Sequence, residues 1–134
     1  MRLAVWPSRR PCATIPFVTS VLIVDDHPSF RASARALLQA EGFEVVGEAA
    51  DGAEALRAVE ELHPDVVLLD VQLPDTDGFD VAARLTKANS HAPAVVLTSS
   101  RDGSDFGPLV KYSGARGFVP KAELSAEALA VLLP

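Results

Sequence analysis

One cysteine, Cys12, is all that the sequence contains, so no internal disulfide can staple the chain and a reducing, cytoplasmic setting is expected. No apolar run approaches the ~20 residues of a membrane-spanning helix, and no membrane partner is expected. The stretch "LAVW" after Arg2 is broken at once by Pro7, which argues against a secretory signal. Basic charge is scarce where it would matter. Arg2, Arg9 and Arg10 are the only charges in the first twenty residues, so the remainder carries 9 of the 12 basic and all 18 acidic groups, a net of −9. Such a body repels nucleic acid and favours cationic partners, metal ions included. Direct nucleic-acid binding is therefore not expected, and no His or Cys spacing suits zinc.

What is present suits one domain with a real core: 134 residues, 49% hydrophobic and 22% charged. Residues 1–19, with Pro7, Pro11 and Pro16 and no period, read as a disordered leader, and residues 20–134 as the domain. From Ser20 onward, the strand-like runs "VLIVD", "FEVVGEA", "DVVLLD", "AVVLTS" and "GFVPK" alternate with amphipathic segments. "SFRASARALLQAEG" aligns Phe30, Ala34, Leu37 and Leu38, with Ser29 as its expected cap and Gly42 as its stop. "DGAEALRAVEELHP" aligns Leu56, Val59 and Leu62 behind Asp51 and ends at Pro64. A third helix is expected from Gly78 with Phe79, Val81, Ala82 and Leu85, and a last one after Ser125 with Leu129, Leu132 and Leu133. Pro108 would break a helix interior, so a short fourth helix is expected to start there.

Strands alternating with helices predict an α/β fold, a doubly wound five-stranded parallel sheet with helices on both faces. Right-handed crossovers align the strand C-termini along one edge, where ligands of such sheets bind. Those ends carry Asp25 and Asp26, then Asp70, Thr98 and Lys121. An acid ending a buried run such as "VVLLD" costs several kcal/mol unless it is paired. Three converging carboxylates suit a hard cation held by oxygens, with Mg2+ the commonest choice. A carboxylate, a cation, an ammonium and a hydroxyl are together the parts that phosphoryl transfer requires.

"VLIVDDHPSFR", "VVLLDVQLPDTDGFD", "VVLTS" and "GARGFVPKAEL" closely resemble the receiver domain of bacterial two-component response regulators, from about Val21 to the C-terminus. The resemblance implies the flavodoxin-like strand order 2-1-3-4-5. It also implies Asp70 as phosphoryl acceptor, Thr98 and Lys121 as its hydroxyl and ammonium partners, and Mg2+ on Asp25, Asp26, Asp70 and the Gln72 backbone carbonyl. Thr98 and Phe118 would form the switch. Partners would be a sensor histidine kinase or phosphotransfer protein, and downstream a protein target or a second copy meeting the fourth helix, fifth strand and fifth helix. The chain would not be an enzyme beyond acquiring and losing its own phosphoryl group. "DDHPSFR" further resembles the subclass usually followed by a helix-turn-helix output domain, for which the ending "ALAVLLP" leaves no room. The alternatives are a receiver fragment of a DNA-binding regulator and an interaction module of the same fold that is never phosphorylated. An aspartate-nucleophile phosphatase would need a second acid where Gln72 stands. His27 is expected in a strand-to-helix turn with its ring exposed, His63 and His91 at helix ends, and Asp75 and Asp77 in the turn and cap before the third helix. Ser99 and Ser100 are expected as small residues beside the site, Ser100 within reach of attacking water.

Overall fold

The computed structural model describes residues 18–87, 92–100 and 106–133. The leader up to residue 17, His91, and the segment 101–105 before the fourth helix lie outside the described residues. Five strands, β1 (Ser20–Val24), β2 (Glu44–Ala49), β3 (Val66–Asp70), β4 (Ala94–Ser99) and β5 (Gly117–Pro120), alternate with α1 (Pro28–Ala40), α2 (Gly52–Leu62), α3 (Gly78–Lys87), α4 (Gly107–Tyr112) and α5 (Ala126–Val131). Every pairing is parallel and the order is β2-β1-β3-β4-β5. The chain leaves β1 for β2 on one side and returns to β3 on the other. That reversal makes the C-terminal ends of β1 and β3 the place where a crevice opens.

The continuous apolar runs are explained by burial on both faces. Leu22, Val24, Val67, Leu69, Val95 and Leu97 face one core, which α2 and α3 cover with Ala55, Val81, Ala82 and Leu85. Val21, Ile23, Val66, Leu68 and Val96 face the other, beneath Ala34 and Leu38 of α1 and Leu129 of α5. The expected faces of α1 to α3 hold, with one exception. Leu62 remains 43% exposed because it ends α2 over the edge strand β2, beside Gly47. α5 buries Leu129 as expected, while Leu132 and Leu133 pack on the second core from just past the end of α5 at Val131.

Local chemistry sets the helix ends. Asp51 accepts from the Glu54 N–H at 2.8 Å, and Glu54 reaches back to the Ala50 N–H at 2.7 Å. Ser125 accepts from Ala128 at 3.0 Å. The expected Ser29 cap is not used: His27 occupies the cap position without a side-chain cap bond, its ring being turned to Asp25 and Asp26, and Pro28 takes the favoured first helical position. α4 begins at Gly107, one residue before the expected Pro108. Gly42 ends α1 at φ 97°, a left-handed conformation that favours glycine.

Candidate functional site

β1 delivers Asp25 to the sheet edge with its side chain fully buried, and β3 delivers Asp70 beside it at 4% exposure. Thr98 of β4 is the direct register partner of Asp70, and Lys121 follows β5 at the start of a short 3-10 turn. The expected residues thus meet at one place. Lys121 Nζ lies 2.6 Å from Asp25 Oδ2 and 3.1 Å from Asp70 Oδ2, bridging the two acids. The Phe30 ring of α1 holds the same ammonium 4.6 Å from its centroid, a cation–π contact. Gln72 donates its N–H to Asp70 Oδ1 at 3.1 Å, so the turn after β3 is folded back onto that carboxylate. The Thr98 hydroxyl is buried and has no hydrogen-bond partner among the described residues.

His27 is 63% exposed at its side chain, as the turn reading implies, but its ring is not idle. Nδ1 lies 2.9 Å from Asp25 Oδ1 and 3.1 Å from Asp26 Oδ1. Ligand atoms of Asp25, Asp26, His27 and Asp70 all fall within 4.8 Å of one another. Phe118 is half-buried against Phe106, centroids 5.7 Å apart, and Phe106 in turn meets Phe79 at 5.6 Å. The switch candidate therefore belongs to an aromatic row running from β5 across to α3. Ser99 is buried, whereas Ser100 is exposed at the end of β4.

Electrostatics separate the two buried acids. Burial raises the Asp25 carboxyl, but the Lys121 ammonium and the two His27 donors outweigh it and hold the group below its ordinary value. For Asp70, burial wins: together with the negative charge of Asp25 it keeps the carboxyl above its ordinary value, against the Gln72 N–H and Lys121. Burial alone would lower Lys121, yet the acids on either side raise it. Asp25 therefore contributes stability that is present above the ordinary aspartate value and lost as pH falls through its lowered one. Removing the shared cation exposes this coupling. Lys121→Met is expected to cost about 2 kcal/mol at neutral pH, less than stranding a full buried charge because one acid can take up a proton. Urea denaturation in metal-free buffer should show that deficit shrinking as pH falls and both carboxyls protonate.

Sequence reading missed three contributors. Asp75 was expected to serve its own turn, but it reaches across to α2 and accepts from the N–H groups of Gly52 at 2.8 Å and Ala53 at 3.0 Å. Asp77, by contrast, caps α3 as expected, accepting from Asp80 at 2.8 Å. Arg31 and Glu48, nowhere near each other in sequence, pair at 2.9 Å beside the β1–α1 loop. Only the recurrence of arginine four residues apart at 31 and 35 could have hinted at a shared acidic partner.

Comparison with known proteins agrees with this geometry. A family profile described as the response regulator receiver domain matches residues 21–132. The DNA-binding response regulator MtrA of Mycolicibacterium smegmatis is 45% identical over 103 residues, covering 75% of this chain and 43% of MtrA. The transcriptional regulatory protein LiaR of Bacillus subtilis is 36% identical over 108 residues, 80% of this chain and 51% of LiaR. The chain thus spans about half the length of the curated relatives it matches. Among solved structures, a two-component response regulator of the LuxR family from Aurantimonas superposes with a TM-score of 0.76 at 32% identity, covering 87% of this chain and 86% of that one. A LuxR-family DNA-binding response regulator from Staphylococcus aureus gives 0.75 at 26% identity, with 86% and 95% covered. Sheet order, the acid pair, the acid ending β3 and the lysine after β5 all point the same way as these matches: the chain belongs to the response regulator receiver domain family.

Proposed function

We propose that this receiver accepts one phosphoryl group on Asp70 from a sensor histidine kinase or phosphotransfer protein in a Mg2+-dependent reaction. The observation that carries the reading is the pairing at the switch point: Asp70 shares Lys121 with buried Asp25, while the Thr98 hydroxyl, without a partner among the described residues, belongs to the residue opposite it in register. A carboxylate oxygen of Asp70 attacks phosphorus as the bond to the donor's imidazole nitrogen breaks, and Lys121 and Thr98 remain to meet the new phosphoryl oxygens. The donor set fits a hard divalent cation, since Asp25, Asp26 and Asp70 offer carboxylate oxygens within one 4.8 Å cluster. Those three acids with the Gln72 carbonyl would hold Mg2+, which when bound neutralises charge on the transferred group.

Movement of Thr98 toward that group, followed by Phe118, would shift the face built from α4, β5 and α5 between two populations, to be read by a downstream protein or a second copy. Leu109, Tyr112 and Val131 are exposed on those helices. The chain acts as a stoichiometric acceptor in the cytoplasm, and water reaching Asp70 past Gln72 and Ser100 would reset it. Among the described residues, no helix is long and apolar enough to cross a membrane. The half-length match to transcriptional regulators favours a second reading in which this receiver governs a DNA-binding output while making no nucleic-acid contact of its own. Intact-mass spectrometry after incubation with acetyl phosphate tests the chemistry. The expected result is one hydroxylamine-labile phosphoryl adduct that requires Mg2+. No adduct under any condition would leave an unphosphorylated interaction module.

A further inference from the structure

We infer that Arg31, held by Glu48, is a positioning residue that orients the metal-binding acid loop; this rests on the Mg2+ reading above. The Arg31 side chain is only 17% exposed and divides its fork between two partners. Nε donates to Glu48 Oε1 at 2.9 Å, and Nη1 donates to the backbone carbonyl of Asp25 at 2.6 Å. Glu48 is braced in turn by Arg35, whose Nε meets Oε2 at 2.7 Å, and the two guanidiniums hold the Glu48 carboxyl below its ordinary value, Arg35 contributing most.

The carbonyl that Arg31 holds belongs to the peptide joining Asp25 to Asp26. Because a peptide is planar, fixing its oxygen fixes the direction in which Asp26 departs. The same residue is tied at its other ends. The Asp25 N–H donates to the Ala49 carbonyl at 3.0 Å, and its carboxylate accepts from the His27 N–H at 2.8 Å. β2 therefore grips the acid loop twice, through Ala49 directly and through Glu48 by way of Arg31. Lysine reproduces this contact poorly, since its three donors share one nitrogen, whereas Arg31 reaches Glu48 and the Asp25 carbonyl from two separate nitrogens of a rigid plane. Groups that orient metal ligands without touching the metal typically alter affinity by about 10- to 100-fold.

The test compares wild type with Arg31→Met, Arg31→Lys and Arg35→Met. Arg35→Met weakens the same ion-pair cluster without touching the Asp25 carbonyl. Two quantities are read by NMR without any phosphoryl donor: the Mg2+ dissociation constant, from the amide shifts of Asp26 and Gln72, and metal-free hydrogen exchange at the His27 amide. Arg31→Met is expected to weaken Mg2+ binding about tenfold and to speed His27 exchange, Arg31→Lys to recover little of either, and Arg35→Met to leave both near wild type. Unchanged affinity in a folded Arg31→Met protein overturns the inference. Equal losses in Arg31→Met and Arg35→Met also overturn it, because they would report general loosening of α1 against β2. Failure of unsubstituted protein to bind Mg2+ overturns the metal reading itself, and is distinguished from the other failures by appearing in wild type.

Discussion

Asp70→Asn is expected to abolish the acetyl phosphate adduct completely while leaving the protein about 1 kcal/mol more stable at neutral pH in metal-free buffer. The first effect follows from chemistry, since an amide oxygen lacks the nucleophilicity of a carboxylate. The second follows from the site's electrostatics. Burial and the neighbouring charge of Asp25 hold the Asp70 carboxyl above its ordinary value, so the folded protein binds that proton more tightly than the unfolded chain does. A group raised in this way contributes stability at low pH that disappears as pH rises through its folded value. Burial and Asp25 penalise the charged form of Asp70, a cost that a neutral Asn does not bear, while Lys121 keeps Asp25 as its partner. Urea midpoints should show the variant ahead at neutral pH and the two proteins converging in acid. A variant less stable than wild type at neutral pH would mean that the Lys121–Asp70 contact outweighs the repulsion. An adduct surviving in it would remove Asp70 from the acceptor role.

Gly78→Ala is expected to cost about 3 kcal/mol, the upper range for overpacking, and to slow phosphorylation at the same time. A Cβ built on Gly78 would lie 2.2 Å from the Asp70 carbonyl oxygen and 2.7 Å from the Val71 Cα. Both obstacles are backbone, so no rotamer change can relieve the clash. The Gly78 N–H also donates to the Val71 carbonyl at 2.8 Å, which draws the start of α3 against the end of β3. The strand carrying Asp70 must move if α3 does, so stability and acceptor geometry should fail together. Thermal denaturation and the rate of adduct formation measure the two halves. Wild-type stability in Gly78→Ala would show that α3 can shift without disturbing β3.

Sequence by itself determined the element order, the parallel sheet and the five residues at its C-terminal edge. Strand periodicity and breakers such as Gly42, Asp51 and Pro64 act locally, and in a parallel α/β sheet the topology turns local order into spatial convergence. Asp25, Asp70, Thr98 and Lys121 met for that reason. Only the tertiary structure decided what lies between elements. Asp75 reaches out of its own turn to α2, because the loop after β3 passes the first-turn N–H groups of Gly52 and Ala53, which have no partner within the helix. His27 leaves Ser29 no cap to make and turns its ring onto two carboxylates. Phe30 lies under Lys121, and Arg31 reaches Glu48 across 17 residues of chain. A charged or aromatic side chain on a helix signals one face in sequence. Which partner stands opposite that face depends on how α1 and β2 pack, and no periodicity within either segment records it.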